Sequence, residues 1–203
     1  MRQCAVVAPL SVVLALLAGC TKSGTTASPT PSGTSTGSAV ATATPTPSAA
    51  PLPEACSEIL PLVELDQALG KPLVGRTSYI RGVPEPKINR LGRVTCGYGR
   101  RPLPGNKTGP PQLEAGVSVY TDADAAAKRV ESTVLAARSE GAVPKQVTVA
   151  GKPATVLLGP SPLIVVADDT RTVAITFTKG LVRGDPTTSL VAVAGLALKN
   201  VPQ

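Results

Sequence analysis

Histidine and tryptophan are absent from the sequence, and phenylalanine and methionine each occur once. Without histidine the chain lacks the base of Ser-His-Asp and Cys-His hydrolases and the commonest metal ligand. It has no phosphate-binding loop and no dinucleotide-binding glycine fingerprint. Aromatic side chains are too few to build a core, so the interior must come from Val, Leu, Ile and Ala. The chain has no apolar run of about 20 residues, the length a membrane-spanning helix needs. The remaining candidates for chemistry have simpler readings. Asp122 and Asp124 could be paired carboxylates, but Thr121-Asp122-Ala123-Asp124 resembles a capping box at a helix start. Asp168-Asp169 could ligate calcium, but it falls where a hairpin turn is expected. Asn106-Lys107-Thr108 is a glycosylation sequon by spelling. No catalytic residue, metal site or cofactor is therefore expected. A hydrolase built on other acids stands as the enzymatic alternative.

What the N-terminus does contain is an address. Ala5 to Leu17, apolar apart from Ser11, follows a single charge at Arg2 and ends in Leu17-Ala18-Gly19-Cys20. A short basic end, a short apolar core and small residues before a boundary describe a signal peptide. The boundary resembles the bacterial lipobox. The Cys20 thiol would be alkylated by a diacylglyceryl group, and small residues would let a peptidase cut before it. On this reading residues 1–19 are removed and Cys20 is the lipid attachment site. An ordinary secretory signal with Cys20 incidental is the alternative, but no Ala-x-Ala site lies near the end of the apolar run. One acyl chain binds a membrane marginally, whereas two or three hold it for good.

Residues 20–53 comprise the lipidated cysteine and a Ser/Thr/Pro-rich tract in which Lys22 is the only charge. Such a composition cannot bury enough apolar surface to offset its ordering entropy. It reads as a tether, spanning roughly 30–35 Å as a random coil. Residues 54–203 remain, enough for a single domain with one core. They hold two cysteines, Cys56 and Cys96. An even count outside the reducing cytoplasm argues for a disulfide, closing a loop of about 40 residues. Free buried thiols or a metal pair are the alternatives, and two cysteines without histidine make a poor metal site.

The domain alternates helical and strand signals. Leu62, Leu65 and Leu69 line one helical face between Pro61 and Gly70. Leu73 to Val83, Arg90 to Arg100 and Leu113 to Tyr120 read as strands, with a Pro/Gly loop from Pro102 to Pro111. A helix follows from Thr121 to about Glu140, with Ala123, Ala127, Val130, Val134 and Ala137 as a thin apolar face. Lys145–Ala150, Ala154–Leu158, Leu163–Ala167 and Arg171–Thr178 are four short strands separated by turn residues. Thr187 to Asn200 is apolar on most sides and reads as a helix on the sheet. The expected order is α-β-β-β-α-β-β-β-β-α, an α+β domain with an antiparallel meander sheet and helices packed on one face.

Cys56, Leu60-Pro61, Ala68-Leu69-Gly70 and Cys96-Gly97-Tyr98, together with the lipobox, carry a resemblance. They resemble the small actinobacterial lipoproteins classed as domains of unknown function. More distantly, they are similar to extracytoplasmic sensor domains of the same bacteria. The resemblance covers about 45 residues plus the signal, and its motifs are structural, so it implies no catalytic residues.

Charge supplies the one functional asymmetry. Arg76, Arg81, Lys87, Arg90, Arg93, Arg100, Arg101 and Lys107 stand against a single acid, Glu85. This stretch thus carries the equivalent of the whole chain's formal charge of +7. Such segregation marks either an anionic partner or a solvated face that keeps the protein soluble. The candidate partners are lipid head groups, a cell-envelope polymer or an acidic protein. Nucleic acid is not expected outside the cell, and the stretch offers only Tyr79 and Tyr98 for stacking. The expectation is a non-enzymatic binding or sensing module at the outer face of the cell membrane. A carrier with an apolar cavity between sheet and helices, holding a lipid or small hydrophobic ligand, is the alternative.

Overall fold

The computed structural model describes residues 51–202. The signal peptide, Cys20 and the tether through residue 50 lie outside them. A 3₁₀ turn at Cys56–Glu58 precedes helix α1 (Leu62–Leu69) and strand β1 (Arg76–Gly82). A second 3₁₀ turn at Pro86–Ile88 leads into β2 (Arg90–Arg100), the small hairpin β3 (Pro102–Leu103) and β4 (Lys107–Thr108), and then β5 (Leu113–Tyr120). Helix α2 (Ala123–Ser139) is followed by β6 (Val143–Val149), β7 (Lys152–Leu158), β8 (Leu163–Asp168), β9 (Arg171–Phe177) and α3 (Thr187–Asn200). The α+β class, the antiparallel sheet and the order of the main elements are as expected; the β3–β4 hairpin falls within the expected Pro/Gly loop.

The seven-stranded sheet runs β1-β2-β5-β9-β8-β7-β6 and is antiparallel throughout. It consists of two meanders, one from each half of the chain, joined where β5 pairs with β9. Pro144 sits on the outer strand β6, where a missing N–H blunts a free edge.

One face of the sheet is apolar. Ala115 opposes Ile175 and Val117 opposes Val173, and these pack with Leu65 of α1 and Leu190, Val193 and Ala197 of α3. Leu65 and Leu69 are buried as the helical spacing requires, whereas Leu62, in the first turn, is exposed. Gly70 closes α1 at φ 66°, the left-handed cap that glycine accepts without strain. Leu52 and Pro53, at the end of the expected tether, already pack on the domain: Leu52 lies against the core, and the Pro53 carbonyl accepts from the Tyr79 hydroxyl at 3.0 Å.

The expectation that all helices share one face needs correction. Helix α2 lies across the opposite face, over Gly116, Ser118, Thr172 and Ala174. A seven-stranded sheet has two faces to cover, and α1 and α3 already occupy the apolar one. The α2 contact face also differs from the expected one. Ala125 and Ala126 are buried, while Ala123 and Ala127 are exposed. The cap explains the shift. Asp122, not Thr121, is the N-cap: its carboxylate accepts from the Ala125 N–H at 2.7 Å and from the Thr121 hydroxyl. The Thr121 hydroxyl and that N–H hold Asp122 below the usual carboxylate range.

Cys56 and Cys96 are bonded, tying the first 3₁₀ turn to β2. Tyr98, two residues on and on the same face, donates its buried hydroxyl to the Cys56 carbonyl at 2.8 Å. Burial pushes its phenol up, opposed by a backbone hydrogen bond at Leu60. The Leu60 N–H also donates to the Cys56 carbonyl, at 2.9 Å, so that oxygen keeps a partner if the phenol is lost. Tyr98→Phe is accordingly expected to cost only about 1 kcal/mol in a urea titration. A loss beyond about 3 kcal/mol would mean that the hydroxyl does more than brace this turn.

Candidate functional site

The site begins with an irregularity in β2. Arg93 opposes Ser118 and Gly92 opposes Val119, but Arg90, not Leu91, opposes Tyr120. Simple alternation would place Arg90 and Arg93 on opposite faces. The extra residue turns Arg90 onto the face that carries Arg93, as a bulge does. Both arginines therefore face α2. The Arg93 guanidinium lies across Gly116 of the neighbouring strand, where a Cβ would sit in van der Waals contact with its Nη2 at 3.5 Å.

Helix α2 adds a third cation. Arg129 and Thr133 project toward the sheet, and a cavity of about 160 Å³ lies between them and the strands. Ser118 and Thr172 line its floor along with Arg90 and Arg93. Glu114 lines it too. Along β5, Glu114 is six residues from Tyr120, roughly 20 Å at the rise of a strand. Since Arg90 opposes Tyr120, the acid and that arginine belong to opposite ends of the site.

The three guanidinium groups are unequally satisfied. Arg90 pairs with Glu85 at 2.6 Å, and its side chain is 13% exposed. Its Nε is buried and has no hydrogen-bond partner among the described residues. Neither Arg93 nor Arg129 has a carboxylate within 4 Å among the described residues. A second depression, bordered by Lys87, Asn89 and Lys128, adjoins the first through Arg129. Five cations from two separate stretches of chain thus meet at the start of β2 and the first half of α2.

The eight basic residues singled out in the sequence are divided by the fold. Arg90 and Arg93 line the cavity, and Lys87 borders the depression beside it. Arg81 opposes Val94, which places it on the other face. Arg76 opposes Arg100 at the far end of β1. Arg100 donates to the Gly109 carbonyl at 3.0 Å, and its Nε is a second buried nitrogen without a hydrogen-bond partner among the described residues. Arg101 and Lys107 are exposed beside and within the β3–β4 hairpin. Sequence reasoning missed Lys128 and Arg129, which lie outside the basic stretch. The sequence carries no signal that joins them to Arg90 and Arg93, because the face of the sheet that α2 covers is not written in its pattern.

Among the described residues there is no cluster of three or more Cys, Asp or Glu able to hold a metal. Asp168 is engaged by Arg171 and Lys152, and Asp169 occupies the β8–β9 turn at φ 54°. The one Gly-x-Ser-x-Gly spelling, Gly33 to Gly37, lies outside the described residues and has no histidine in the chain to serve it. No described helix is long and apolar enough to cross a membrane. Comparison with protein-family models and with curated proteins returned no match.

Proposed function

We propose that this protein is a lipid-anchored, extracytoplasmic binding or sensing module without enzymatic activity. In this reading Cys20 holds it to the outer leaflet of the cell membrane, and residues 20–50 space the domain from the surface. Its resemblance to small actinobacterial lipoproteins and sensor domains agrees with this role. The observation that carries the binding role is the contrast between the two faces of the sheet. Under α1 and α3 the layer is filled by Leu65, Ile175, Leu190 and Val193, all fully buried. Under α2, three arginines and several hydroxyls line a cavity. The lining favours an anionic partner over a hydrophobic cargo, so the carrier reading is not pursued.

The anchor has a direct test. Cys20→Ala should leave an unprocessed precursor, abolish acyl labelling and prevent lipid attachment. A variant that is processed and labelled like the natural protein would overturn the lipoprotein assignment.

A further inference from the structure

We propose that the cavity beneath α2 is a receptor site for a phosphate-class oxyanion, clamped by Arg90, Arg93 and Arg129. The proposal deepens the binding reading above and rests on it. Arg90 and Arg93 of β2 and Arg129 of α2 line one small space with a single acid, Glu114, and two of the three have no carboxylate within 4 Å among the described residues. Placing unpaired cations together in a partly enclosed site is costly unless an anion completes it. Guanidinium forks match the oxygens of phosphate, and hydroxyls complete such sites as donors. Ser118 and Thr172 supply those hydroxyls on the floor.

Size narrows the ligand further. Clefts for drug-sized molecules run to about 300–1,000 Å³, whereas this cavity measures about 160 Å³. It admits a single oxyanion or the phosphoryl end of something larger, but not a folded acidic segment. Glu114 repels a second negative charge at its end, so the phosphoryl group sits between Arg93, which lies across Gly116, and the Arg90 end. The adjoining depression, with Lys87 and Lys128, gives the rest of a larger molecule a basic path outward.

The test uses the purified full-length protein in a non-ionic detergent, titrated calorimetrically at low ionic strength. Inorganic phosphate should bind, and sodium acetate should bind at least tenfold more weakly. Arg93→Gln and Arg129→Gln should each weaken phosphate binding about tenfold, the factor of one lost charge-assisted bond. Gly116→Val, whose branched methyls reach past Cβ and crowd the Arg93 guanidinium, should do the same with all charges retained. Arg76→Gln and Arg101→Gln should leave binding unchanged. A glycerophosphodiester separates the sources: binding as tight as phosphate's assigns the site to a head group or envelope polymer, and weaker binding assigns it to free phosphate. Absence of phosphate binding at low salt overturns the proposal, as does equal loss from the Arg76 and Arg93 variants. Either failure leaves the lipid anchor untouched, because acyl labelling of Cys20 reads that separately. If the cavity variants melt early, Arg129→Lys, which keeps the charge and loses the fork, gives the same discrimination.

Discussion

Removing the Cys56–Cys96 bond, by reduction or by paired Cys→Ala substitution, is expected to cost about 4 kcal/mol of folding stability. The bond spans 40 residues. In the chain-entropy account it excludes from the unfolded ensemble every conformation in which those ends are apart. The closed loop contains α1, β1 and the first part of β2, so it constrains much of the first meander. The native side loses little on substitution, because Cys96 is interior and an alanine fits beside Val94 and Tyr98. A domain of this size has about 5–15 kcal/mol in total. Unfolding midpoints with and without reductant measure the difference. A shift below about 1 kcal/mol would place the stability of this half elsewhere, in the packing of α1 on α3.

The second large effect is expected at the β8–β9 hairpin. Asp168 and Arg171 are both buried and paired, and Lys152 Nζ meets the second oxygen of Asp168 at 2.5 Å. Arg171 also donates to the Val201 carbonyl at 3.3 Å and to the Pro202 carbonyl, fastening the end of α3 to the sheet. Arg171→Met should cost about 3 kcal/mol, because it leaves a buried carboxylate with one cation and two carbonyls without their donor. Asp168→Asn should also destabilise, since the amide keeps one oxygen to accept from one cation and turns its NH2 toward the other. Burial pushes the pKa of Asp168 up, but Lys152 and Arg171 together outweigh it and hold the carboxyl below the usual carboxylate range. In the unfolded chain this group titrates near about 4. Its stabilising contribution is therefore whole above roughly pH 5 and is lost as the pH falls through the lowered native value. The natural protein should lose melting temperature as the pH falls below about 5, and the Asp168→Asn variant should show a shallower slope there. Parallel slopes would show that other carboxylates, Asp122 and Asp185 among them, govern the acid limb.

Much of this architecture could be read from residue pattern. The bounds of β2, β5 and α3 match their patterns because turn residues or charges stop each run where the alternation or apolar character ends. Which helix covers which face was not legible. Alternation separates Val117 and Val173 from Ser118 and Thr172, but a face of Gly, Ser, Thr and Ala looks the same under solvent as under a helix. The site was half legible. Arg90 and Arg93 stood out by charge, yet linear charge density grouped them with Arg81, which the register with Val94 sends to the other side. It also passed over Arg129, which reaches the same space from a helix more than thirty residues later.

The seam between the two meanders has a consequence for how the chain acquires its structure. Strand β5 lies near the middle of the sheet, but its partner β9 is the last strand in the chain, about 50 residues later. A polypeptide delivered N-terminus first must therefore hold β1, β2 and β5 as a three-stranded fragment with one bare inner edge until β9 arrives. That edge is a template for wrong pairing, in this molecule or another. Sequence-distant pairing at the centre also gives the topology a high contact order, and such sheets fold in milliseconds to seconds rather than microseconds. The covalent brace between Cys56 and Cys96 lies wholly within the fragment that must wait.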